Sequence, residues 1–152
     1  MEAAGEMRAA TKPAGTSEMS MEQNFRIPQK AAIKNGAKYL ILKRAPDSDV
    51  YPNRWDFPGG RLEHGEKPEK GLEREVREET GLRVEVKSPE FVFCERINGH
   101  FNYHVIFGCR LSGKNAAVKL SGEHTGHRWA AKKEILKLKT ENYLRAYLKR
   151  GE

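Results

Sequence analysis

The stretch from Gly60 to Leu82, GRLEHGEKPEKGLEREVREETGL, constrains the chain most, because it fixes both ends of a helix and the chemistry of one of its faces. Pro68 carries the fixed φ that suits a first helical position, and Gly81 can take the left-handed turn after a last one, which predicts a helix of about three turns. At about 100° per residue, Glu75, Glu78 and Glu79 stand at i, i+3 and i+4 and share one arc. Leu72 and Val76 lie beside that arc, so seating the helix on a core brings the carboxylates to the core's edge. Like charges at this spacing repel by roughly a few tenths of a kcal/mol per pair even when solvated, and an offsetting cation is expected. Crowded carboxylate oxygens are the ligand set of Mg²⁺, with Mn²⁺ as the alternative, and a magnesium site leaves positions for water and substrate phosphates.

Taken alone, E-x-x-E-E reads better as a solvated acidic face, and the surroundings reverse that preference. Gly60, five residues, Glu66, seven residues, Arg74-Glu75-Val76, one residue, Glu78-Glu79, one residue, Gly81-Leu82 resembles in full the signature box of the Nudix hydrolases. Upstream, Trp55-Asp56-Phe57-Pro58-Gly59-Gly60 is similar to the MutT branch of that family. Downstream the resemblance is looser, resting on Glu123-His124 and Trp129, and it ends before about residue 25.

The resemblance implies an α/β fold, the Nudix α/β/α sandwich with a mixed sheet, and metal-assisted hydrolysis of a polyphosphate. Glu75, Glu78 and Glu79 are the expected ligands, and either Glu75 or Glu78 is the base that takes the water proton. Arg74, four residues before Glu78, is expected to pair with it, and Glu66 to brace the loop ahead of the helix. Gly60, Glu66 and Gly81 are structural positions of the box. The family's pattern also brings the Gly59 carbonyl and a carboxylate at Glu123 to the metal, and places phosphate-binding cations at Arg44 and Arg61.

At 152 residues the chain is expected to hold one domain, residues 25–152, preceded by a disordered tail over residues 1–24, which lacks apolar periodicity. Asn35-Gly36 and Asn98-Gly99 predict two type I′ hairpins. Strands are expected over 82–86, 90–97, 101–111 and 127–130, followed by a helical pattern from Lys132 carrying Ile135, Leu136, Leu138, Leu144 and Leu148. Two cysteines in strand-like runs point to reduced thiols and a cytoplasmic location, and no apolar run is long enough to span a membrane. The net charge of +7, concentrated toward the C-terminus, suits an anionic partner or an ordinary solvated helix face. A nucleotide substrate is the expected partner, nucleic acid is not, and monomer and homodimer stay open.

Several aromatic residues, among them Tyr51 and Phe57, are candidates to stack a base, although aromatics in strands are usually core. Asn142 can read a base edge bidentately, in the way MutT-like enzymes that prefer oxidised guanine nucleotides use an asparagine near the last helix, or it can cap that helix. His124 and His127 have a zinc-like spacing but no partnering pair, which favours a surface reading. The leading function is cleavage of a nucleoside triphosphate, oxidised purine nucleotides included, to monophosphate and pyrophosphate. Two others stay open: hydrolysis of ADP-ribose or a dinucleotide polyphosphate, and a non-catalytic module that senses nucleotides or binds nucleic acid.

Overall fold

A computed structural model describes residues 25–152, so the expected N-terminal tail lies outside the described residues. The chain runs β1 (Phe25–Arg26), β2 (Pro28–Asn35), β3 (Lys38–Arg44), β4 (Trp55–Asp56), β5 (Gly59–Arg61), α1 (Pro68–Thr80), β6 (Val84–Ile97), β7 (His100–Leu111), β8 (His124–Ala131), α2 (Lys132–Ile135) and α3 (Asn142–Leu148). One sheet follows the path β1-β7-β2-β3-β4, with β6 beside β7, β5 beside β2 and β8 beside β3. Both β1 and β2 pair β7 in parallel, and the remaining pairs are antiparallel, which makes the sheet mixed.

Strand alternation divides the apolar residues between two cores. Ala31, Ile33, Leu40, Leu42, Phe107 and Cys109 face α1 and meet Leu72 and Val76. Ala32, Ile41, Ile106 and Ala130 face the other way and meet Ile135, Tyr143, Leu144 and Leu148. Helices on both faces give the α/β/α sandwich.

Four local expectations are corrected. The first hairpin turns one residue later than Asn35-Gly36: Asn35 pairs with Lys38, leaving Gly36 and Ala37 central, and only Gly36 of the two has positive φ, at 64°. That is the pattern with glycine first, unlike the Asn98-Gly99 turn, where both residues have positive φ as expected. Residues 84–97 form one strand rather than two, because irregular pairing around Pro89 absorbs the break. β8 begins at His124 rather than His127. The C-terminal pattern splits into α2 and α3, since the Trp55 N–H donates to the Lys139 carbonyl and the Glu141 N–H donates to the Trp55 carbonyl. The segment between the helices is thereby tied to the edge of β4.

Candidate active site

A cleft of about 730 Å³ opens where β5, α1, β8 and the start of α3 converge. One wall is acidic. Gly59 and Gly60 let α1 approach the sheet: a Cβ on Gly59 would fall 2.0 Å from the Gln29 carbonyl oxygen, and one on Gly60 would fall 2.5 Å from the Glu75 carboxyl carbon. Glycine is required at position 59, where backbone already fills the space, while at position 60 a side chain would displace the Glu75 carboxylate. The Gly59 N–H donates to Glu79 Oε1 at 3.0 Å. Burial pushes the Glu79 carboxyl up to about 8, against the opposing pull of Lys30 and that N–H. Burial likewise raises Glu75.

Of the three helix glutamates, the structure brings Glu75 and Glu79 to the cleft and leaves Glu78 outside it. The Glu78 side chain is 60% exposed and held by Arg74 at 3.2 Å. Arg74 also meets Glu66 at 2.8 Å and Glu75 at 3.6 Å, while Glu66 accepts the Glu63 N–H at 3.2 Å, so the pairing and the brace both form. Gly81 ends α1 in the left-handed region, with φ 75°. Glu123 and His124, at the start of β8, complete the acidic wall: ligand atoms of Glu79, Glu123 and His124 all lie within 4.8 Å of one another.

The floor is a buried charge network. Lys30 Nζ donates to Asp56 Oδ2 at 3.0 Å, and Arg44 reaches the same oxygen at 3.1 Å and Glu141 Oε2 at 3.3 Å. The Tyr143 hydroxyl donates to Asp56 Oδ1 and accepts the Phe57 N–H. Burial alone would raise Asp56, but Lys30 and Arg44 outweigh it and hold this carboxyl far below the ordinary range. Glu141 goes the other way, raised by burial and by the Asp56 charge. Burial also works to lower Lys30, yet Asp56, Glu141 and Glu79 together leave its ammonium above its ordinary value. His104 and His124 are both shifted down, chiefly by burial.

One expected substrate contact is corrected, and a second proves to be engaged within the chain. Phe57 is fully buried in the α3-side core, so no ring face is open to a base. Arg44 lines the cleft, but its guanidinium is engaged by Asp56, Glu141, Ser48 and the Val50 carbonyl, which makes it part of the floor. Arg61 stands exposed on the rim, with no ion pair among the described residues. Asn142 is the first residue of α3 rather than its cap: Glu141 holds the cap position, and Asn142 Nδ2 donates to the Tyr51 hydroxyl and Glu95 Oε1. Tyr51 gives its own hydroxyl to Glu95 and carries Arg54 over its ring.

Sequence reasoning missed Lys30, Asp56, Glu141 and Tyr143, and assigned His124 to the surface, where the structure buries it. Charged residues inside strongly apolar strands, Lys30 before Ala31-Ala32-Ile33 and Asp56 between Trp55 and Phe57, were the available signal.

The NUDIX domain family model matches residues 30–150. The chain belongs to the Nudix hydrolase family. It is similar to the nucleoside triphosphatase NudI of Escherichia coli O139:H28, 30% identical over 115 residues, covering 68% of this chain and 80% of that protein. A MutT-like protein of Streptomyces ambofaciens is 33% identical over 111 residues, covering 73% of this chain and 66% of the relative. Against the NudI of Enterobacter sp. strain 638 the match is 46% identical but spans only 38% of that relative's length. Among solved structures, a MutT protein from Methanosarcina mazei Go1 superimposes with TM-score 0.75 at 28% identity, covering 83% of this chain and 91% of that one. An ADP-ribose pyrophosphatase from Streptococcus suis shares the fold at TM-score 0.57 and 21% identity. Among the described residues, no helix is long and apolar enough to cross a membrane.

Proposed function

We propose that this Nudix hydrolase is a divalent-cation-dependent pyrophosphohydrolase that converts a nucleoside triphosphate, with purine and oxidised purine nucleotides the leading candidates, to monophosphate and pyrophosphate. The observation that carries the reading is the placing of Glu75, Glu79 and Glu123 on one wall of an open cleft whose rim carries Arg61. The donor set fits a cation. Burial raises Glu79 and Glu75, and neighbouring carboxylates add to it, Asp56 and Glu75 for Glu79 and Glu78 and Glu123 for Glu75, so a cation beside them would favour their ionised forms. Glu75, Glu79 and Glu123 would hold it, with the Gly59 carbonyl as the backbone candidate. Glu78 is the reserve ligand, since its pair with Arg74 is exposed and weak. When bound, the cation neutralises the polyphosphate and lowers the pKa of the attacking water.

The protein's own groups do the rest. Glu75, clamped between Gly60 and Arg74, is placed to accept the water proton. Arg61 offers its guanidinium to phosphate oxygens at the rim. The floor network fixes the β4-β5 turn and therefore the Gly59-Gly60 backbone against which α1 is seated. Asn142, held by Tyr51 and Glu95 beside the cleft, is the proposed base-reading group.

The test is a nucleotide panel with purified chain, Mg²⁺ or Mn²⁺, and product identification. Monophosphate and pyrophosphate are expected, with EDTA abolishing turnover. Release of orthophosphate from triphosphates contradicts the proposed bond, and exclusive cleavage of ADP-ribose replaces the substrate class.

A further inference from the structure

His124 differs from every other histidine of the described chain in what surrounds it. It is 8% exposed, its Nδ1 is buried with no hydrogen-bond partner, and one of its ring nitrogens lies within 4.8 Å of carboxylate oxygens of both Glu79 and Glu123. His104 is more deeply buried, at 2% exposed, and also has an unpartnered Nδ1, but its ring stacks on Tyr143 at 4.8 Å and joins no carboxylate cluster among the described residues. Leaving a buried polar atom without a partner is unfavourable, and the native fold nonetheless retains this imidazole of His124, Nδ1 unsatisfied, beside two cleft carboxylates. Three donors evenly placed at about 2.1 Å from one ion stand at most about 3.6 Å apart, so ligand atoms that all lie within 4.8 Å of one another close onto a cation by movements of under about 1 Å each, within the reach of a side-chain adjustment.

We propose that His124 supplies a nitrogen ligand to the cation held by Glu79 and Glu123, and that this chain therefore discriminates in favour of Mn²⁺, Co²⁺ or Zn²⁺ over Mg²⁺. The inference rests on the cation-dependent reading above and specifies its metal. Magnesium takes an all-oxygen octahedron and surrenders its water reluctantly. Imidazole adds little for Mg²⁺ and much for the later first-row ions, whose affinity rises from Mn²⁺ through Co²⁺.

The experiment uses tag-free, metal-stripped full-length chain and reads binding rather than turnover. Titration calorimetry with Co²⁺ and with Mg²⁺ is expected to give Co²⁺ the tighter site by about tenfold or more. His124→Ala is expected to weaken Co²⁺ by about tenfold or more and to leave Mg²⁺ within about twofold. Equal affinity for the two ions in the parent, or an equal effect of the variant on both, overturns the proposal. Since His124→Ala opens a buried site, the parent chain supplies a second readout: pulsed electron paramagnetic resonance of bound Mn²⁺ with ¹⁵N-histidine labelling should show a coupled nitrogen. A Mn²⁺ signal without that coupling refutes the nitrogen ligand and leaves the carboxylate site standing. Failure of every divalent ion to bind, with turnover persisting in EDTA, removes both readings together.

Discussion

On the floor of the cleft, Asp56 meets two cations at 3.0 and 3.1 Å and a tyrosine hydroxyl, whereas on the α1 wall Glu79 accepts one backbone N–H and has no ion pair among the described residues. Both carboxylates are buried. Burial opposes charge on each, yet Asp56 is held far below its ordinary pKa and Glu79 is pushed up to about 8. On the floor Lys30, Arg44 and Asp56 match one another within the chain, and Glu141, raised by burial and by the Asp56 charge, is the exception. The wall is left short of positive charge, and Glu79 is met either by holding its proton or by a bound cation. In one cleft, two sets of buried carboxylates are therefore separated by whether the compensating charge is internal.

The strongest test of that contrast removes the matched acid. Asp56→Asn leaves Lys30 buried without its carboxylate and should cost about 3 kcal/mol at neutral pH, read by denaturant unfolding. A depressed folded pKa contributes stability that is fully present above the unfolded value and is lost progressively as pH falls from there through the folded value. The difference between parent and variant should therefore shrink below about pH 4. A difference that is small, or flat from pH 7 to 3, would show the floor to be less tightly paired than its geometry.

The unmatched acids should behave in reverse. Glu79→Gln or Glu75→Gln should lower turnover by about a hundredfold or more with the fold intact, since a charge at the cation is removed and the hydrogen-bonding shape is kept. In EDTA neither variant should melt below the parent. For Glu79 the sign is explicit: its folded pKa is raised, so its contribution to stability is present below about 4.5 and is lost as pH rises through about 8. Glu79→Gln should accordingly gain on the parent between pH 5 and 9, the opposite slope to Asp56. Near-normal turnover would refute the ligand assignment, and a lower Tm in EDTA would give Glu79 a structural partner instead.

The same contrast explains what the sequence disclosed. The wall is local: Glu75 and Glu79 share a helix face by periodicity alone, and Pro68 and Gly81 mark its ends, so sequence spacing carried the information. The floor draws Lys30 from β2, Arg44 from β3, Asp56 from β4 and Glu141 and Tyr143 from the start of α3, a union made only by the sheet and by the link from Trp55 to residues 139–141. No spacing rule reaches across those separations. Phe57 was misjudged for the same reason, since whether an aromatic ring is open or covered depends on α3 closing over it. His124 was misjudged because its distance from His127 was weighed, while its actual neighbours are Glu79 on a helix and Glu123 beside it.

Asn142 sits between the two regimes, with its amide N–H groups already given to Tyr51 and Glu95 yet exposed at the start of α3. Asn142→Ala should raise KM for the preferred base by about tenfold more than for its competitors, with kcat little changed. An equal effect on every base would confine Asn142 to holding Tyr51 and Glu95 together.

Arg74 provides the finest measure, because it is the internal cation that comes closest to the wall without entering it. Its guanidinium spans Glu66, Glu78 and Glu75, and a planar fork can hold several carboxylates that a lysine ammonium, a single point charge, cannot. All these pairs are exposed enough to be screened, so Arg74→Lys should leave Tm near the parent value. The consequence should fall on kcat, by about fivefold, through looser placement of Glu75 and Glu78, with KM nearly constant. Raising the salt concentration should narrow the gap, since it weakens the parent's clamp more than the variant's. A hundredfold loss would instead place Arg74 on the reacting phosphate, and no loss at all would mean that the wall orders its carboxylates without help from the exposed face.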